Sequence, residues 1–124
     1  MSHRIALATN DGLTVYKHFG QADEYQIVDL DADTYTFIER RKTVPPCDSG
    51  EHTEEGFDAV LAVLSDCEAI FVGKIGPGAS EYLAQRGFRS FEVPGVIELI
   101  LSKVIERKVF EGFGWQRRNK PETD

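Results

Sequence analysis

The sequence predicts a mixed α/β domain: a sheet of about five strands covered by three helices. Three observations carry that expectation. Early in the chain, strand-like segments alternate with turn signals, as in a hairpin. The remainder alternates short apolar runs with segments of helical periodicity. The length, 124 residues, suffices for one core and is too small for two ordinary domains.

In chain order, Arg4-Ile5-Ala6-Leu7-Ala8-Thr9 reads as a short buried strand closed by the turn signal Asn10-Asp11-Gly12. A polar loop with Lys17-His18-Phe19-Gly20 follows. Residues Glu24 to Leu30 read as the next strand, and Asp31-Ala32-Asp33 as a turn. Thr34 to Arg41 completes a hairpin, with Tyr35, Phe37 and Glu39 on one face and Thr36, Ile38 and Arg40 on the other. Pro45-Pro46 ends it, because proline cannot donate to a ladder.

Thr53 is a plausible N-cap for a helix from Glu54 to Ser65, with acidic Glu54 and Glu55 suiting the dipole. Its apolar stripe is Phe57, Val60, Leu61 and Leu64. Glu68 to Gly73 is a buried strand running into Lys74-Ile75-Gly76-Pro77-Gly78, then a helix from about Ala79 to Gln85, stopped at Gly87. Arg89 to Val93 is a strand, Pro94-Gly95 is punctuation, and Val96 to Arg107 is a helix with the stripe Ile97, Ile100, Leu101 and Val104. The order β-β-β-α-β-α-β-α implies parallel pairs with right-handed crossovers in its second half. Residues 1–110 are expected to form a single cofactor-binding domain, and residues 111–124 a polar C-terminal tail.

Composition narrows the function classes. Hydrophobic residues make up 41% and charged residues 28%, a soluble globular composition. No apolar run approaches the roughly 20 residues needed to span a bilayer, and no secretory signal is visible, so a cytoplasmic protein without membrane contact is expected. The net charge of −7 opposes binding to nucleic acid phosphates. The basic clusters at residues 40–42 and 117–120 read as solvated faces or local anion patches. Cys47 and Cys67 form no C-x-x-C pair, and Cys67, between a helix end and a strand, reads as a small core residue.

Three loops at strand ends are candidate sites. In the first, His18 offers an imidazole, a common ligand of iron and zinc, and Gly20 lets backbone approach a bulky ligand or take positive φ; a surface or capping histidine is the alternative. In the second, Cys47 and His52 are two further candidate metal ligands, against an ordinary exposed loop. With His18 they make three, short of a closed four-ligand zinc site and suited to an exchangeable one. In the third, Lys74, Gly76 and Gly78 resemble a phosphate loop without fitting either glycine-rich nucleotide motif. The alternatives there are a tight turn or anion contact by helix amides. No catalytic triad or metalloprotease motif is visible, so no catalytic residues are assigned and the chain reads as a non-enzyme.

The ordered set Ile5-Ala6-Leu7-Ala8-Thr9, Asp11-Gly12, His18-Phe19-Gly20-Gln21-Ala22, Tyr25-Gln26-Ile27-Val28-Asp29, Ile38-Glu39-Arg40-Arg41, Leu64-Ser65-Asp66-Cys67, Gly73-Lys74-Ile75-Gly76-Pro77-Gly78-Ala79 and Phe91-Glu92-Val93-Pro94-Gly95 resembles the dinitrogenase iron–molybdenum cofactor biosynthesis family. That family includes NifX-like carriers and the C-terminal domain of NifB. The resemblance runs from about Arg4 to Glu106. It implies a ribonuclease-H-like three-layer fold without nuclease activity. It also implies binding of the iron–molybdenum cofactor or a precursor iron–sulfur cluster, with His18 as the cluster contact and Cys47 and His52 as helpers. A carrier or chaperone for a preformed metallocluster in nitrogen fixation follows, with other cofactor-assembly proteins as partners. Arg40, Arg41 and Lys74 would offset the cluster's negative charge. The alternatives are a metal-free regulatory or protein-interaction module and a small enzyme with a phosphorylated substrate.

Overall fold

The computed structural model describes residues 3–46 and 54–108. The chain begins with β1 (His3–Ala8) and a two-residue strand β2 (Thr14–Val15), followed by a 3-10 turn at Phe19–Gln21. The hairpin strands β3 (Glu24–Leu30) and β4 (Tyr35–Lys42) come next, then α1 (Glu54–Val63), β5 (Ala69–Val72) and α2 (Pro77–Gln85). The last elements are β6 (Arg89–Glu92), β7 (Gly95–Val96) and α3 (Ile97–Glu106).

Five strands form one sheet in the order β4-β3-β1-β5-β6. β1 runs antiparallel to β3 and parallel to β5, β3 is antiparallel to β4, and β5 is parallel to β6. β2 and β7 form a small second sheet, too short to leave a periodic signal in the sequence. The mixed five-stranded sheet with three helices is the architecture the sequence predicts.

Strand periodicity builds the three layers. Along β1, Ala6 and Ala8 face α1 and α2, whereas Ile5 and Leu7 face α3. In β5, Ile70 and Val72 take the first side, Ala69 and Phe71 the second. The stripe Phe57, Val60, Leu61 and Leu64 is buried with Cys67 in the first core, and Ile97, Ile100, Leu101 and Val104 in the second. Burial pushes the Cys67 thiol up to about 12, so it is a packing group and not a nucleophile. α2 starts two residues earlier than expected, at Pro77, because proline is well placed in a first helical turn.

The hairpin departs from simple alternation. Tyr35 and Phe37 pair with Leu30 and Val28 on the α3 side, but a bulge at Ile38 shifts the register so that Glu39 pairs with Ile27 on the other side. Phe37 and Glu39 therefore lie on opposite faces, where the sequence pattern put them on one. The shift turns Arg41 towards Asp66, with contacts of 2.7 and 2.9 Å.

α3 covers its face alone. A helix is about 10 Å across and five strands span about 20 Å, so the sheet is left open on both flanks of α3. A groove of about 550 Å³ beside β3 and β4 exposes Leu13, Tyr35 and Phe37. The other flank borders β6.

Candidate functional site

The parallel strands β1, β5 and β6 end on the same side of the sheet, and the loops that follow them make the candidate site. The loop after β1 is ordered by Asp11. Its carboxylate accepts from the Leu13 and Thr14 amides at 2.8 and 2.9 Å and from the hydroxyls of Thr9 and Thr14 at 3.0 Å. These bonds hold Asp11 well below the usual carboxylate range, the Leu13 amide contributing most. Gly12 takes φ +75°, and a Cβ there would strike the Arg40 guanidinium.

Beyond this turn, β2 pairs with β7 and ties the loop to the start of α3. The chain then crosses the end of β5. The Gly73 amide donates to the Lys17 carbonyl and the Phe19 amide to the Lys74 carbonyl, both at 2.8 Å. A Cβ at Gly73 would press into the Tyr16 carbonyl, so glycine permits this crossing. The result is a parallel bridge between His18 and Lys74. Residues 56 positions apart are thus side by side.

Phe19 anchors the arrangement. Its ring is buried and lies 5.7 Å from that of Phe57. Ile75, next to Lys74, packs on the same core. By alternation His18 and Lys74 point the other way, and both are exposed. His18 occupies the N-cap position of the 3-10 turn, but its side chain makes no cap hydrogen bond. The capping alternative is thereby removed, and the imidazole has no hydrogen-bond partner among the described residues. Gly20 lies inside the 3-10 turn, whereas the glycines with positive φ are Gly12, Gly87 and Gly95.

The third loop adds backbone donors. Gly76 is the N-cap of α2 and supplies no side-chain cap, so no N-cap side chain satisfies the first-turn amides of Gly78 and Ala79. A Cβ at Gly76 or Gly78 would meet nothing within 4 Å, so packing inside the chain does not require glycine at either position. The Ile75 amide donates to Glu92 Oε2 at 2.9 Å, a contact missed in the sequence. The signal was available: parallel β5 and β6, joined by α2, bring Glu92 beside the loop that follows β5.

Other candidates fall elsewhere. Arg40 reaches Glu24 at 3.4 Å, and Arg41 bonds Glu39 and Asp66 at 2.7 Å. Both are engaged by carboxylates of the chain, contrary to the expectation that they offset a ligand's charge; Lys74 alone of the three has no ion pair among the described residues. Cys47 and His52 lie outside the described residues, as does Thr53. Among the described residues no three His, Cys, Asp or Glu side chains converge on a metal ion. The described part of the site thus comprises one imidazole, one ammonium, the first-turn amides of α2 and the Glu92 carboxylate that accepts from Ile75.

The family profile described as dinitrogenase iron-molybdenum cofactor matches residues 1–107. The FeMo cofactor biosynthesis protein NifB of Rhodobacter capsulatus is 34% identical over 83 residues, 67% of this chain and 18% of that protein. Protein NifX of Sinorhizobium fredii is 29% identical over 106 residues, 81% of this chain and 66% of that protein. The chain thus spans about a fifth of the NifB relatives it matches. The crystal structure of PH0822 superposes with a TM-score of 0.65 at 22% identity, covering 84% of this chain and 90% of that one. A crystal structure from Methanocaldococcus jannaschii gives 0.58 at 13% identity, covering 87% and 92%. These two likenesses establish the shared three-layer fold. Among the described residues no helix is long and apolar enough to cross a membrane.

Proposed function

The chain belongs to the dinitrogenase iron–molybdenum cofactor family, and on that premise we propose that it binds a preformed iron–sulfur or iron–molybdenum-type cluster and hands it to other cofactor-assembly proteins, without catalysing a reaction of its own. The observation that carries this reading is the exposed His18 imidazole, unpartnered among the described residues, on a segment whose backbone bridges to that of Lys74. A neutral imidazole donates its lone pair to an iron at the cluster surface. The Lys74 ammonium and the α2 amides offset the cluster's negative charge and donate to its sulfides. Gly76 and Gly78 let the cluster approach the backbone. Cys47 and His52, outside the described residues, are the two further ligands of this reading. A site with so few protein ligands favours release, as a carrier requires.

The test is anaerobic uptake. Purified protein incubated with an iron–sulfur cluster gains charge-transfer absorption in the visible range, and His18→Ala lowers the affinity roughly tenfold. If His18→Ala, Cys47→Ala and His52→Ala each leave uptake and affinity unchanged, the proposal fails. The second reading is a metal-free interaction module of the same fold. Iron and molybdenum analysis after anaerobic expression separates the two: a metal-free protein that takes up no cluster supports the module.

A further inference from the structure

The second flank of α3 forms a groove of about 440 Å³ against β5 and β6. Its wall is apolar, from Phe71, Phe91, Leu99 and Ile100, and Lys103 and Arg107 stand along it. These two cations are four residues apart, Lys103 in the last turn of α3 and Arg107 its C-cap, whose amide bonds the Lys103 carbonyl, hence on one face. Neither has an ion pair among the described residues. Lys74 shares this state, whereas Arg4, Arg40, Arg41 and Arg86 each lie within 3.4 Å of a carboxylate. α3's own Glu98 lines the opposite groove. Net charge is −7, so two unpaired cations beside exposed apolar surface mark a local reversal of sign. Leu99 is 60% exposed, a high value for a leucine beside an apolar groove. The third observation is β6 itself. It ends the sheet and pairs on one side only, with β5, among the described residues. Its outer edge offers backbone donors and acceptors to an added strand.

We infer that this groove and the adjoining edge of β6 dock an extended acidic segment of a partner protein. The segment adds to β6 as a strand, places an apolar side chain between Leu99 and Phe91, and sets carboxylates against Lys103 and Arg107. Charge complementarity selects it: a basic peptide is repelled by the two cations, and a purely apolar one leaves them beside buried surface without counter-charges. The inference is independent of cluster binding, because the groove is lined by none of the residues proposed to hold the cluster.

The test is selection of random twelve-residue peptides on the intact protein, followed by fluorescence anisotropy with the recovered sequences. Recovered peptides are expected to carry Asp or Glu flanking an aromatic or aliphatic anchor. Their affinity should fall roughly tenfold or more in Lys103→Glu/Arg107→Glu and in Leu99→Arg, and decline with added salt. All three residues are exposed, so the variants keep the fold, which circular dichroism checks. Recovery of no binders, of binders without acidic enrichment, or of binders indifferent to these variants overturns the inference. So does sedimentation showing a dimer that Leu99→Arg dissociates, since the occupant is then a second copy. Tighter binding after deletion of residues 109–124 would identify that segment as the native occupant and overturn it too.

Discussion

The two ends of the sheet use the same kinds of side chain in opposite ways. At the end where β1 and β5 begin, a network of charges is closed by side-chain partners. Arg4 bonds Asp29 and Asp66 at 2.7 and 2.8 Å, Arg41 joins the same Asp66, and His3 meets the fully buried Glu68 at 2.8 Å. At the opposite end His18 and Lys74 are held by backbone bonds and have no side-chain partners among the described residues. Asp66 and His18 are both polar residues at element boundaries, yet one closes a network and the other presents a free lone pair. Satisfied polar groups stabilise a fold, and unsatisfied exposed ones are available to a ligand. The ligand end carries both arrangements: Asp11 and Glu24 are engaged within the chain, while His18 and Lys74 stand exposed beside them.

The contrast can be broken most severely at Phe19, which belongs to the ligand end but is buried. Phe19→Ala should cost about 3–5 kcal/mol in urea unfolding and abolish cluster uptake, because it removes the anchor that aims His18. Asp66→Asn comes next, at about 1–2 kcal/mol after allowing for its partial exposure, with cluster affinity unchanged. The pH dependence sharpens the same point. Arg41, then Arg4, hold the folded Asp66 carboxyl below its ordinary value of 3.8. Its stabilisation is fully present above the unfolded pKa and is withdrawn as pH falls below about 4 toward the folded value. Midpoints measured from pH 5 down to pH 2 should therefore drop steeply in the parent protein and more gently in Asp66→Asn. A parallel slope in both proteins would locate the acid sensitivity elsewhere. His18→Ala should move stability by less than about 0.5 kcal/mol while weakening uptake. The smallest effect belongs to Gly78→Ala: a gain of about 0.5 kcal/mol in the helix, against a loss of cluster affinity where the backbone is approached.

Much of the architecture was legible because it rests on periodicity. The stripes of α1 and α3, the burial of Cys67 and the strand–helix alternation are all local patterns, and each is found in the fold. The bulge at Ile38 was not legible, since alternation continues through it in sequence and only the pairing with β3 reveals the shift. Nor was the engagement of Arg41, whose partner Asp66 is 25 residues away and becomes its neighbour only when the hairpin closes over α1. For the candidate site, strand ends identified the loops with His18 and Lys74. Their adjacency depends on Gly73 permitting a backbone crossing that no spacing rule encodes.

That crossing has a consequence for how the family can diversify. The bonds between Lys17 and Gly73 and between Phe19 and Lys74 fix the spacing of the two exposed side chains. Neither bond involves the connection from β4 to α1. Residues can be inserted, deleted or exchanged there without resetting the distance between His18 and Lys74. The spacing of His18 and Lys74 is thus set by a local crossing and can be inherited intact while the connection between the hairpin and α1 changes in length or sequence.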